Sequence, residues 1–196
     1  MSVFEVHERI PRYEGQIFTL VTDKVEMPGG KVVTRDYVRH PGAVGVVPYD
    51  DRRVLLVRQY RPALGRELWE LPAGLVDVAG EEAPITAQRE LGEEADLRAG
   101  RLDLLVDLHL SPGMSNERIR LFLARDLSPV PDADRHERHD EEAVLTASWF
   151  DLDEAIAMIF RGEITNASAV GGLLATAHAR DAGWSTLRPA DTPPPA

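Results

Sequence analysis

The most informative part of this sequence is Gly74-Leu75-Val76-Asp77-Val78-Ala79-Gly80-Glu81, followed after seven residues by Arg89-Glu90-Leu91-Gly92-Glu93-Glu94. Its second half predicts a helix from about Pro84 to Ala95, because proline suits a first helical turn. Residues 90, 93 and 94 are spaced at i, i+3 and i+4, so their carboxylates share one helical face. Residues 87, 91 and 95 form a separate apolar stripe that can be buried.

The carboxylates of this helix oppose its local preferences. Glu93 and Glu94 stand in the last turn, where the helix macrodipole favours cations, and like charges at this spacing cost about 0.2–0.5 kcal/mol per pair. A solvated acidic face is the general alternative. A bound divalent cation explains the cluster better, and Mg²⁺ or Mn²⁺ is expected because these ions take oxygen ligands and share their coordination with phosphates.

The same stretch resembles the Nudix box, which reads Gly, five residues, Glu, seven residues, Arg-Glu-apolar-x-Glu-Glu-x-Gly-apolar. The match is tight from Glu81 to Glu94, and the sequence departs from the motif at one position on either side of this stretch. Six residues rather than five separate Gly74 from Glu81, which indicates a one-residue insertion. Asp96 replaces the late glycine, so it is expected to adopt the left-handed conformation that ends a helix, which Asp tolerates better than most residues.

The resemblance implies a Nudix fold, an α/β/α sandwich of the α+β class, and a set of metal ligands. Glu90 and Glu94 would be the principal ligands, and Ala73 would add its backbone carbonyl. Glu93 would bind a further ion or orient a metal-bound water, which gives Glu93 and Glu94 a share in catalysis. Glu81 would hydrogen-bond Arg89 or the loop without touching the ion. Arg89 could fix a carboxylate by a charge-assisted pair, and a surface ion pair with Glu93 or Glu82 is an equal alternative.

The overall composition agrees with an ordinary globular protein of 196 residues and net charge −11. An acidic surface disfavours nucleic acid as a partner, but it permits a small phosphorylated substrate. The absence of cysteine excludes disulfides and a cysteine nucleophile. Residues 1–9 are too acidic for a signal peptide, and no apolar run is long enough to cross a bilayer, so a cytoplasmic protein without membrane contact is expected.

The order of elements predicts an antiparallel N-terminal β-domain over residues 1–41, a catalytic domain over 42–187 and a disordered proline-rich tail over 188–196. Pro28-Gly29-Gly30 would turn the N-terminal hairpin between strands 21–27 and 31–38. Further strands are predicted at 43–49, 53–60, 102–110, 119–127 and 144–150, and further helices at 151–160 and 167–180. Asp151 is expected to cap the first of these two helices and Gly162 to end it.

Segments around the box resemble ADP-ribose pyrophosphatases of the actinobacterial type. These are Gln59-Tyr60-Arg61, the run from Leu68 to Gly74, and Ser111-Pro112-Gly113, whose proline lies fifteen residues beyond Leu97. Each alone has a structural alternative as a strand end, a core residue or a turn. Their joint order and spacing favour the functional interpretation. This branch also carries an N-terminal β-domain exchanged between the subunits of a homodimer.

The resemblance to this branch assigns the substrate contacts. Arg61 and Arg35 would contact phosphate or the terminal ribose, with Arg35 reaching across from the partner subunit. Phe18 would stack on adenine, although it is equally suited to a sheet core. Glu70 would hydrogen-bond the adenosine part, and Ser111 and Gly113 would line the pocket.

A run of titratable residues, His136-Glu137-Arg138-His139-Asp140-Glu141-Glu142, precedes the strand at Val144. Such runs are usually solvated loops. The pattern His-x-Glu-Glu-Ala resembles the loop that carries the catalytic glutamate in this branch, and the alignment selects Glu142 as the general base, with Glu141 as the alternative. The His-x-x-His pair lacks the spacing of a zinc helix.

The sequence therefore predicts a Mg²⁺-dependent hydrolase that cleaves ADP-ribose to AMP and ribose 5-phosphate. One alternative is a broader specificity for nucleoside diphosphate sugars such as ADP-glucose and GDP-mannose. The other is a non-catalytic ADP-ribose sensor, but such sensors usually show an eroded box, and the carboxylates here are intact.

Overall fold

The structure is a computed structural model that describes residues 4–78, 80–138 and 144–194. The described residues divide into two compact units. One unit contains the residues up to Gly42 together with His109–Arg118, and the other contains residues 43–108 and those from Ile119 onward. The segment His109–Arg118 joins the first unit through contacts such as the bridge between Val38 and Ser115, which no local sequence signal indicates.

The first unit is built on a three-stranded antiparallel sheet in the order β1-β2-β3. Its strands are β1 (Glu5–Glu14), β2 (Thr19–Glu26) and β3 (Val32–Arg39). The predicted hairpin is confirmed as β2 and β3, and Gly29 and Gly30 take the positive φ angles that the turn between them requires.

Strand β1 was not predicted, because its sequence is charged rather than alternating apolar. Its pairing with β2 is accompanied by ion pairs across the strands. Arg9 donates two hydrogen bonds of 2.8 Å to Asp23, and Lys24 lies 2.7 Å from Glu8. Opposite charges on neighbouring strands stabilise such a pair where apolar contacts are few.

The strands of the second unit are β4 (Ala43–Asp50), β5 (Arg53–Arg61), β6 (Arg66–Glu70), β7 (Ala73–Leu75), β8 (Leu97–His109), β9 (Arg118–Pro129), β10 (Thr146–Asp151) and β11 (Arg188–Pro189). They form a mixed sheet in the order β10-β5-β4-β9-β8-β11, with β6 paired to β5 and β7 paired to β4. Strands β4 and β9 run parallel, with Val46 opposite Phe122.

Helices cover both faces of the mixed sheet. Helix α1 (Ala83–Ala95) packs against a buried cluster that includes Val46 and Phe122. Helix α3 (Ala167–Asp181) packs on the other face, where Gly172 approaches Val47 and Leu121. Neighbouring residues of a strand point to opposite faces, so the sheet lies between the two helices. The predicted sandwich with a small N-terminal antiparallel sheet is confirmed.

Helix α2 (Leu152–Phe160) begins and ends where the sequence predicted. The side chain of Asp151 accepts a hydrogen bond of 2.9 Å from the backbone N–H of Asp153, and Gly162 has a φ of 77° after the helix. Both are the usual chemistry of helix ends. None of the helices in the described part of the chain is long and apolar enough to cross a membrane.

The C-terminal segment differs from the expected disorder. Arg188 and Pro189 pair with β8, and the buried side chain of Arg120 donates a hydrogen bond of 2.6 Å to the carbonyl of Thr192. Arg120 also donates to Asp107 at 2.8 Å. These contacts satisfy buried polar groups that the proline-rich composition of the segment does not reveal.

Candidate active site on helix α1

Helix α1 holds two glutamates against the sheet by burying its apolar stripe. Ala87, Leu91 and Ala95 are buried as predicted. The carboxylates on the neighbouring face are nearly withdrawn from solvent, with Glu90 8% and Glu94 5% exposed. Ionised side chains are rarely buried unless they are paired or bind a cation, so these two positions differ from an ordinary solvated acidic face.

Strand β7 brings its backbone against these carboxylates. Gly74 pairs with Val44 in β4, and a Cβ atom at Gly74 would overlap the carboxylate of Glu90. The N–H of Ala73 donates a hydrogen bond of 2.9 Å to Oε2 of Glu94. A side chain at residue 74 would therefore displace the carboxylate of Glu90, because the strand approaches it this closely.

Arg89 links the acidic residues of the helix to the loop before it. Its Nη1 donates to Oε1 of Glu90 at 2.6 Å and to Oε2 of Glu93 at 3.0 Å. Its Nη2 donates to Glu81 at 3.2 Å, and the hydroxyl of Thr86 donates to the same carboxylate at 2.9 Å. Hydrogen bonding from Arg89, followed by that from Thr86, lowers the pKa of Glu81, so this carboxylate stays ionised.

The donor set fits a hard divalent cation of the kind that keeps most of its water. Within the described residues, no three acidic or histidine side chains come together as a group that could hold an ion by itself. Mg²⁺ does not need such a cage, because it usually binds one or two carboxylates and completes its shell with water and substrate phosphates. Glu90, Glu94 and the carbonyl of Ala73 could supply the protein part of that shell.

Arg138, which the sequence analysis did not single out as a site residue, contacts the C-terminal end of α1. Asp96 adopts the left-handed conformation, with φ 55° and ψ 34°, as predicted for the residue that replaces glycine. Arg138 donates to its carboxylate at 2.9 Å and to the carbonyl of Glu93 at 2.7 Å. The sequence signal for an arginine at this place was a carboxylate next to the last carbonyls of a helix, which have no donors within the helix.

Two proposed substrate contacts bind each other in the second unit. Arg61 donates to both oxygens of Glu70, at 2.8 and 2.6 Å, across the pair formed by β5 and β6. Glu70 is 3% exposed, whereas the Arg61 side chain is 42% exposed. The buried glutamate thus holds an accessible guanidinium in a fixed orientation.

The other proposed substrate contacts lie in the first unit. Phe18 lines a cleft of about 330 Å³ together with Arg39 and His40. Arg35 and Gly113 line a second cleft of about 390 Å³. Arg35 donates to the carbonyl of Thr34, and no carboxylate in the described part of the chain pairs with it.

Ser111 shapes the second cleft through its backbone. Its carbonyl accepts hydrogen bonds of 2.9 Å from the N–H groups of both Met114 and Ser115. The segment Ser111-Pro112-Gly113 is therefore a turn that places Gly113 at the cleft.

The predicted base lies outside the described residues. Glu142 and its alternative Glu141 both fall in the segment 139–143, between the described ranges. Arg138 is the residue before this segment, and its side chain contacts the end of α1.

Comparisons with known proteins agree with this geometry. Residues 39–170 match the model of the NUDIX domain. The chain is 47% identical over 190 residues to an ADP-ribose pyrophosphatase of Mycobacterium tuberculosis, and the aligned region covers 96% of this chain and 90% of that protein. It is 33% identical over 156 residues to an ADP-ribose pyrophosphatase of Bacillus subtilis, covering 79% and 82% of the two chains.

A solved structure shows the same fold. The crystal structure of an ADP compounds hydrolase superposes with a TM-score of 0.77 and 23% identity, and the match covers 94% of this chain and 98% of that one.

Proposed function

The chain belongs to the NUDIX family of hydrolases, and on that premise we propose that it cleaves ADP-ribose to AMP and ribose 5-phosphate with Mg²⁺ as cofactor. One observation carries the proposal. Glu90 and Glu94 are buried beside the backbone of Ala73 and Gly74, in a chain that is 47% identical to an ADP-ribose pyrophosphatase over nearly its whole length.

The metal ligands are proposed to be Glu90, Glu94 and the carbonyl of Ala73, with Mn²⁺ able to replace Mg²⁺. A divalent ion supplies positive charge that offsets the charge developing on the diphosphate during hydrolysis. Enzymes of this kind depend on a divalent metal. Glu93 would hold a second ion or orient the attacking water.

Arg89 and Glu81 would act by fixing the ligands rather than by binding the ion. Arg89 donates to Glu90 and Glu93, and Glu81 holds Arg89 from the opposite side. A carboxylate fixed by a second residue loses less conformational freedom when it binds a cation. This support is the reason for assigning the two residues a positioning role.

The water that attacks the diphosphate needs a base, and Glu142 is proposed for it, with Glu141 as the alternative. The support is the resemblance of the sequence pattern, together with the contact of Arg138, four residues earlier, with the helix that carries the carboxylates. A base must accept the proton of water while the metal ligands remain ionised, so a separate carboxylate suits the task.

The substrate is proposed to be held by arginines and by aromatic stacking. Arg61, oriented by Glu70, and Arg35, from the partner subunit, would bind phosphate or the terminal ribose. Phe18 would stack on adenine, because its side chain is 42% exposed and lines a cleft. Ser111 and Gly113 would complete the substrate contacts.

A panel of nucleoside diphosphate sugars tests the substrate assignment. The purified protein is incubated with ADP-ribose, ADP-glucose and GDP-mannose in the presence of Mg²⁺, and the nucleoside monophosphate released is measured. We expect the highest kcat/KM for ADP-ribose. Comparable values for all three would establish the broader nucleotide sugar specificity instead, and tight binding of ADP-ribose without product would establish the sensor.

A further inference from the structure

Helix α1 ends in an electrostatically unfavourable turn. Glu93 and Glu94 stand in this turn, and no basic residue of the helix itself lies there. The last carbonyls of any helix lack intrahelical donors, and the macrodipole makes this end negative. Arg89 offsets the carboxylate of Glu93, and the N–H of Ala73 donates to that of Glu94. The carbonyls at the helix end still need a donor from outside the helix.

Arg138 supplies a donor and a positive charge for these carbonyls from a distant part of the chain. Its Nε donates to the carbonyl of Glu93 at 2.7 Å, and its Nη2 donates to the carboxylate of Asp96 at 2.9 Å. The guanidinium thus satisfies a terminal carbonyl and places positive charge at the negative end of the helix. The ion pair is partly buried, with 24% of the Arg138 side chain and 29% of the Asp96 side chain exposed.

Asp96 is held at three points. Its N–H donates to the carbonyl of Gly92 at 3.2 Å, its carbonyl accepts from Val130 at 2.8 Å, and its carboxylate accepts from Arg138. A glycine, which the Nudix motif has at this position, would keep the two backbone contacts and lose the third. The unusual aspartate and Arg138 therefore belong together.

We propose that Arg138 and Asp96 are a positioning pair that holds the last turn of α1, and with it Glu93 and Glu94, in the orientation that binds the divalent cation. The proposal rests on the metal site proposed above. Without the pair, the carbonyl of Glu93 and the negative end of the helix would lose the guanidinium that holds them. The last turn would then open more readily, and the metal ligands would lose their fixed geometry.

Metal binding without substrate tests the pair. Full-length protein is titrated with Mn²⁺, and the free ion is measured by electron paramagnetic resonance. We expect Arg138→Met to raise the Kd for Mn²⁺ by about 10-fold or more, since partners that hold metal ligands typically contribute 10–100-fold to affinity. Asp96→Gly should raise it less, because Arg138 keeps its bond to Glu93 and glycine suits the helix end.

Two further variants serve as matched controls. Arg98→Gln removes an arginine–aspartate pair of similar length, 3.0 Å, between exposed residues, and should leave the Kd unchanged. Arg138→Lys should recover part of the affinity, because an ammonium restores the charge but cannot bridge the carbonyl and the carboxylate as a planar guanidinium does.

Steady-state kinetics distinguish a role of Arg138 in positioning the metal ligands from a role in the stability of the protein alone. In Arg138→Met the Mg²⁺ concentration for half-maximal activity should rise in parallel with the Kd for Mn²⁺, while KM for ADP-ribose at saturating Mg²⁺ stays within about twofold. A lower Tm together with unchanged Mn²⁺ affinity in both Arg138→Met and Asp96→Gly would overturn the proposal.

Two outcomes identify where a failure lies. If Arg138→Met does not fold, Asp96→Gly decides, and an unchanged Kd in that variant overturns the pair. If Glu94→Gln binds Mn²⁺ as tightly as the unaltered protein, the proposed metal site is itself wrong, and the positioning role is overturned with it.

Discussion

Glu90 and Glu94 lie against strand β7, which carries Gly74 next to Glu90. Gly74 lets β7 lie against the carboxylate of Glu90, where any Cβ atom would overlap it. The sequence could name the three residues from the motif, and it predicted the left-handed conformation of Asp96, because local spacing and backbone conformation are sequence-local properties.

Other residue contacts are not visible in sequence. Arg138 lies 42 residues from Asp96, and Glu70 binds Arg61 across a pair of strands. Both contacts depend on how distant segments are brought together, and nothing in the local pattern of residue types fixes those distances. The proposed roles of all the site residues stay predictions.

Gly74→Ala tests the close approach at the residue scale. The added methyl group should displace either β7 or Glu90, destabilise the protein by about 1–3 kcal/mol and weaken Mn²⁺ binding. Chemical denaturation and metal titration measure the two effects. Gly92→Ala, in helix α1, is the control, because its Cβ would meet no atom closer than 3.9 Å outside the backbone of that helix. Equal Mn²⁺ affinity in Gly74→Ala and the unaltered protein would contradict the close approach.

Glu142→Gln tests the proposed base. The variant should fold and bind Mn²⁺ normally, while kcat falls by about 10²–10⁴-fold, the usual contribution of a well-placed base. Steady-state kinetics at saturating Mg²⁺ measure the loss. Glu137→Gln, in the same acidic run, is the control and should keep its activity. Near-normal turnover in Glu142→Gln would move the role to Glu141 or into the motif.

At the scale of elements, the strands that follow apolar patterns were predictable and the charged strand was not. Strand β1 pairs with β2 through ion pairs and hydrogen bonds, and Arg9, Asp23 and Tyr37 form one connected group. The sequence of such a strand looks like that of a polar loop, because the residues that stabilise it lie on another strand and leave no local pattern. The short strands β7 and β11 carry too few residues to show a period.

The buried carboxylate of β2 predicts acid sensitivity of the three-stranded sheet. Hydrogen bonding from Arg9, assisted by that from Tyr37, lowers the pKa of Asp23 below its ordinary value of 3.8. A lowered pKa in the folded state contributes stability that is complete above the ordinary value and is lost as the pH falls through the lowered one. Stability should therefore fall below about pH 4.

Asp23→Asn should remove part of this pH dependence. Denaturation midpoints measured from pH 7 to pH 3 should fall less steeply for Asp23→Asn than for the unaltered protein, although the variant is less stable at pH 7. Asp36→Asn, on the neighbouring strand, separates this effect from a general loss of charge. An identical slope for Asp23→Asn and the unaltered protein would show that the ion pair does not determine acid stability.

At the scale of the whole molecule, the sequence predicted the fold class because a single motif of known spacing specifies it. The N-terminal unit is different, because few of its own apolar side chains are buried in a core that could stabilise it. Val21 is the one apolar side chain that is fully buried among the described residues of that unit, while Phe4, Val6, Tyr13 and Val32 are exposed. We propose that a second copy of the chain covers part of this surface.

Light scattering measures the oligomeric state. The expected mass is twice the 21.7 kDa of one chain. Mixing Glu94→Gln chains with Arg35→Ala chains should restore activity if Arg35 acts across the dimer, since some sites would then combine intact residues from both subunits. A monomer with full activity would contradict the shared site.

Product formation from ADP-ribose by the unaltered protein and by Glu94→Gln tests whether the buried carboxylates of α1 carry the reaction. Glu82→Gln is a control at the exposed N-terminal end of the same helix. With Mg²⁺, the control should form AMP and ribose 5-phosphate at the same rate as the unaltered protein. Glu94→Gln should be slower by at least about 100-fold, the scale of losing one preorganised charge-stabilising group. No AMP from ADP-ribose would show that the protein does not cleave this substrate, and equal rates for Glu94→Gln and the unaltered protein would show that Glu94 is not part of the metal site.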